Sequence, residues 1–197
     1  MSPILQLIGE NLTPQIVDQI ATKVGGENQA VRAAIGAGVP LLLNALGRNA
    51  STSEGAEQVT SALRRDHDGG LLGQLGELVL GNVSGKQADG AGILEHVLGS
   101  NRTQVERGVS KTTGLDLGQV ASLLPILAPI VMNAIGKIRA DKDLEADGVQ
   151  NLLQVEKEKT DEGLGGLAGL IDADGDGSIA DDLIGIGAKL FGGFGGR

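Results

Sequence analysis

The sequence predicts an all-α fold: two related helical repeats of about 90 residues packed together, followed by a C-terminal EF-hand-like helix-loop-helix. Three observations lead there. Residues 16–48 and 105–137 align without a gap at a constant shift of 89 positions. No stretch alternates apolar and polar residues with the β-branched and aromatic enrichment of strands. Near the end, Asp172-Ala173-Asp174-Gly175-Asp176-Gly177-Ser178-Ile179 carries the carboxylate spacing of a calcium loop.

The alignment is strongest at residues with special backbone roles. Gly25 meets Gly114, Val31 meets Val120, Pro40 meets Pro129, Asn44 meets Asn133, Ala45 meets Ala134 and Gly47 meets Gly136. A repeat found first constrains everything read afterwards. It divides the chain into residues 1–100 and 101–197, and it predicts that the two prolines occupy equivalent helices with Gly47 and Gly136 at the C-terminal ends.

Taken in order, Thr13-Pro14 supplies an N-cap and a proline at the first helical position, Ile16, Ile20 and Val24 share one face, and Gly25-Gly26 ends the run. Glu27 or Asn28 opens a longer helix to Gly47. Ser51-Thr52-Ser53-Glu54 has capping-box spacing ahead of a third helix with Val59, Ala62 and Leu63 on one face. Glycine-rich helices are expected over residues 70–80 and 91–98. In the second half Asn101 or Thr103 opens a helix to Thr113, and Asp116 caps a long apolar helix.

Composition narrows the chemistry. The only aromatic residues are Phe191 and Phe194, so the core is aliphatic, and Gly makes up 33 of 197 residues, which favours close helix contacts. Zero Cys excludes disulfides, cysteine-ligated zinc, iron-sulfur clusters and thiol catalysis, and fits the cytoplasm slightly better than an oxidising compartment. A net charge of -9 and the lack of Trp and Tyr oppose nucleic-acid binding. The first ten residues show no secretory or mitochondrial address, so the expected location is cytoplasmic, with signal-less export left open.

Four pieces together resemble a known family: Asp66-His67-Asp68-Gly69-Gly70-Leu71-Leu72; the stretch from Asp89-Gly90 through Glu95-His96-Val97-Leu98-Gly99; Leu123-Leu124-Pro125-Ile126-Leu127-Ala128-Pro129-Ile130-Val131; and the aspartate loop at 172–178. The family is the bacterial domain-of-unknown-function family catalogued as number 937, distantly similar to YidB-like proteins. The resemblance implies a small, largely helical bacterial protein and brings no established activity with it.

In the aspartate loop, Asp172, Asp174 and Asp176 stand at positions 1, 3 and 5, Gly177 at 6 permits the sharp turn, and the Ser178 carbonyl serves position 7. Such hard oxygen ligands select Ca2+. Leu183 replaces the closing bidentate Glu, so Asp181 or Asp182 is expected to complete the shell. The competing reading is a solvated acidic turn capping the next helix.

His67, between Asp66 and Asp68, is the other cluster with chemical potential, and a two-histidine site with His96 is the alternative reading. A capping or core hydrogen-bonding role is the expected one. No Ser-His-Asp order, zinc-helix motif or phosphate loop is present; the glycines of 163–169 lack a preceding strand and a following Lys-Ser or Lys-Thr pair.

Residues 117–136 contain no charge and are long enough to cross a bilayer. Gln119, Ser122, Asn133, two prolines and a repeat partner containing Arg32 disfavour the membrane and predict a buried, proline-bent core helix. The functional expectation is a noncatalytic structural or self-assembly protein, a homo-oligomer or filament joined through its apolar C-terminal helix. The alternatives are an enzyme built on the His-Asp cluster and a membrane-associated protein.

Overall fold

A computed structural model describes residues 2–163, and among them it is helical with no strand. The order is α1 (Pro3–Asn11), α2 (Pro14–Val24), α3 (Asn28–Asn49), α4 (Ser53–Asp66), a 3-10 turn (Gly70–Gln74) leading into α5 (Leu75–Leu80), a second (Lys86–Ala88) into α6 (Gly90–Leu98), a third (Gly99–Asn101) into α7 (Arg102–Thr113), then α8 (Leu117–Asp141) and α9 (Ala146–Gly163). The aspartate loop and the apolar tail after it lie outside the described residues.

Local chemistry sets most boundaries. Thr13 Oγ1 accepts from Ile16 N to start α2, and Thr52 accepts from Gly55 N to start α4. Asp116 and Gln119 form a reciprocal capping box at the start of α8, with bonds of 2.8 and 2.9 Å. Both α2 and α7 stop at a glycine in the left-handed region, Gly25 at φ 77° and Gly114 at φ 80°, where a side chain would be strained.

The two long helices form the centre. From Ala34 to Gly47 every residue of α3 is buried, and α8 is buried from Ile126 to Gly136, with Pro40 inside the first and Pro125 and Pro129 inside the second. They meet at Gly38, whose missing side chain leaves room for Leu124 and Leu127, each 3.2 Å from where a Cβ would stand. A Cβ on Gly26 would lie 2.7 Å from Leu115, and Gln119 donates to the Gly25 carbonyl at 2.6 Å nearby. Both α3 and α8 are long and apolar enough to span a membrane, and both are sheathed by the other helices. Each fully buried Leu or Ile contributes about 1.5–3 kcal/mol, so this aliphatic pair anchors the fold.

Around that pair, α9 lies along α3 and α4, while α4 also packs on α8. Gln154 and Gln150 of α9 donate to the carbonyls of Gly47 and Ser51, at 2.7 and 3.1 Å. Arg64 of α4 pairs with Glu145 just ahead of α9. Gly47 lies in the last turn of α3, close to its expected place. Gly136 lies well inside α8, which continues to Asp141, because this glycine serves close contact and not helix termination: a Cβ there would stand 1.5 Å from the His67 carbonyl oxygen.

Candidate functional site: a cleft between α4 and α6

α4 ends with His67 as its C-cap, the His67 N–H bonding to the Leu63 carbonyl. The chain then turns through Asp68, which accepts from Gly70 N at 2.9 Å, and Gly69, at φ 101° against the Lys137 side chain. This turn presses the His67 carbonyl onto Gly136 and drives the imidazole inward, leaving 3% of the residue exposed.

Asn133 of α8 receives it. Its Oδ1 accepts the Gly69 N–H at 3.2 Å, so its NH2 must face the other way, to the Pro129 carbonyl at 3.0 Å and to His67 Nδ1 at 3.3 Å. A donor facing Nδ1 makes that nitrogen an acceptor, so the neutral ring carries its proton on Nε2. Burial pushes the His67 pKa below 6.5; Arg65 adds to this, against the pull of Asp66 and Asp68. Asp66 is itself held below the usual carboxylate range by its ion pair with Arg65 at 2.8 Å.

The opposite wall is α6. Asp89 caps it by accepting from Gly92 N at 3.0 Å. Gly90 abuts the Pro125 carbonyl, 1.7 Å from its would-be Cβ, and Pro129 has deprived that same carbonyl of its helical donor. Asn49, at the end of α3, donates to the carbonyls of His96 and Val97 and so holds the end of α6. His96 is exposed, and its Nδ1 lies 2.7 Å from the Gly92 carbonyl. A carbonyl only accepts, so Nδ1 carries the proton and the neutral ring keeps its lone pair on Nε2.

Between these walls is a cleft of about 560 Å³ with an apolar floor that includes Leu46, Val59, Ile93 and Met132. His67, His96 and Asp66 all line it, together with Arg65, Lys86 and Asp89, whereas Asp68 faces a separate pocket of about 370 Å³ beside Lys137 and Asp141. The two histidines therefore share a site and the Asp66-His67-Asp68 triplet is divided. Among the described residues no three His, Asp or Glu side chains converge to hold a metal ion. The calcium ligands expected from sequence, Asp172, Asp174, Asp176, Ser178, Asp181 and Asp182, lie outside the described residues. Sequence reasoning missed Asn133 as the partner that orients His67, and Arg65, Lys86 and Met132 as lining residues; the pairing of Asn133 with Asn44 in the repeat was the available signal for the first.

Among the described residues these features define an all-helical bundle with a buried apolar helix pair and a mixed polar-apolar cleft. The chain belongs to the family described as bacterial protein of unknown function (DUF937), whose profile matches residues 6–138, a span that includes both histidines and Asn133. No curated protein and no solved structure matches the chain.

Proposed function

We propose that this is a noncatalytic helical structural or self-assembly protein of the cytoplasm, built from two related units and binding Ca2+ through Asp172, Asp174, Asp176, the Ser178 carbonyl and Asp181 or Asp182. The observation that carries the two-unit reading is that positions 89 apart touch their own counterparts: Gly26 meets Leu115, and Gly38 meets Leu127. Residues near a twofold axis must do this, as in a symmetric homodimer. The exchange of outer helices fits the same axis, since α4 reaches the long helix of the other unit and α9 reaches that of the first.

An interlocked bundle of this kind spends its apolar surface on internal packing, and this supports a structural role. The C-terminal sequence adds Ile184, Ile186, Leu190, Phe191 and Phe194, apolar residues suited to joining copies in a homo-oligomer or filament. Light scattering of the full chain beside a chain ending at Asp161 tests this, with calcium and with chelator. Assembly of the full chain alone, strengthened by calcium, is the expected result; a monomeric mass for both chains in both conditions refutes the assembly reading.

The enzyme reading is favoured by one observation, the shared lining of a single cleft by His67 and His96. Turnover of a hydrolase substrate that vanished on changing either histidine would replace the noncatalytic reading.

A further inference from the structure

The two cleft histidines differ in the edge they leave free. Asn133 occupies Nδ1 of His67 as a donor, so the neutral ring has Nε2–H left for the cleft; the Gly92 carbonyl occupies Nδ1 of His96 as an acceptor, so that ring has an unprotonated Nε2 left. One wall thus offers a hydrogen-bond donor and the other an acceptor, each fixed by backbone or by a buried amide. Three of the four charged groups beside them, Arg65, Asp66 and Asp89, are already engaged. Arg65 and Asp66 hold each other, and Asp89 caps α6; Lys86 is the remaining cation of the lining. Arg65 and Lys86 balance Asp66 and Asp89, so the formal charges of the lining sum to zero. Its floor is apolar and its volume suits a small organic molecule.

We propose that the α4–α6 cleft is a binding site for a small uncharged amide with an apolar side group, whose carbonyl accepts from His67 Nε2–H and whose N–H donates to His96 Nε2. An amide supplies an acceptor and a donor at once, and its apolar group covers Ile93 and Met132 on the floor. An anion finds only Lys86 to meet its charge, because His67 is neutral and the guanidinium is paired with Asp66. The site is independent of the assembly reading: it requires neither the aspartate loop nor a second copy.

N-acetyl-leucinamide is the probe, and histidine side-chain 15N NMR of the full chain is the readout. In the free protein at neutral pH the spectrum is expected to show His67 protonated at Nε2 and His96 at Nδ1. Adding the probe is expected to shift both Nε2 resonances saturably, and N-acetyl-leucine, a carboxylate of nearly the same shape, is expected to bind roughly tenfold more weakly or worse. His96→Phe keeps a ring on an exposed helix face and removes the acceptor; it should fold normally and lose roughly tenfold in affinity. His67→Gln is a second arm only if its melting is cooperative. Absence of a saturable shift, equal binding of N-acetyl-leucine, or undiminished affinity in folded His96→Phe overturns the proposal.

Discussion

Asn133 donates to Nδ1 of His67 across 3.3 Å, joining the middle of α8 to the C-cap of α4 over 66 positions of sequence. The same amide accepts the Gly69 N–H and donates to the Pro129 carbonyl, so one buried side chain fixes a turn, a tautomer and part of a proline-interrupted helix. Such a network is rigid when complete, and a missing member leaves buried polar groups without partners.

Asn133→Ala is therefore expected to destabilise the protein by about 1–3 kcal/mol, because the Gly69 N–H and His67 Nδ1 both lose their partner away from water. Urea denaturation measures it. The same substitution should release the tautomer of His67, visible as a change in the 15N pattern of that ring alone, while His96 keeps its bond to Gly92.

Acid should act through His67. Its folded-state pKa is lowered from 6.5, chiefly by burial, so the unfolded chain takes up the proton first as pH falls. The stability conferred by the neutral ring is complete above pH 6.5 and declines as pH drops through that value toward the folded pKa. Asp66, lowered from 3.8 mainly by Arg65, acts only in stronger acid. Urea midpoints measured from about pH 7.5 to about pH 5 should fall in the wild type, and the slope should lessen in His67→Gln; parallel slopes would remove His67 as the cause.

Two glycines separate tight contact from free space. Gly136→Ala would place a methyl group on the His67 carbonyl oxygen and is expected to lose at least about 1–3 kcal/mol as α4 is pushed off α8. At Gly73 a Cβ meets nothing within 4 Å, so Gly73→Ala should be neutral or stabilising by up to about 1 kcal/mol. Thermal melting of the two variants side by side is sufficient, and equal melting temperatures would contradict the contact at Gly136.

What the sequence made legible follows the range of each interaction. Thr13-Pro14, Gly25, Thr52 and Asp116 act within a few residues, and the helix boundaries they predict agree with those observed to within a residue or two. The pair Ser2-Pro3 opens α1 in the same way and was there to be recognised. Gly136 lies inside α8 and not at its expected end, because a glycine that admits a distant carbonyl looks the same in one dimension as a glycine that stops a helix. The capping and core role expected of His67 agrees with its place at the end of α4, but its partner did not emerge, since nothing local couples it to a residue 66 positions away. The cleft was invisible for the same reason: its lining is assembled from α3, α4, α6 and α8, which are spread far along the sequence.

The proposed twofold relation has a mechanical consequence. If α4 is held mainly by the second unit and α9 by the first, the covalent link between the units contributes little to their association. Inserting a protease site between Gly99 and Ser100, both exposed, and cutting the folded chain tests this directly. The two fragments are expected to stay together through size exclusion and to unfold in one transition, because separating them would expose Gly38, Leu124 and Leu127 at the centre and strip α9 from α3. Fragments that separate after cutting and retain their helicity individually would mean that each half packs within itself, and the exchange of α4 and α9 would then hold no more than a surface contact.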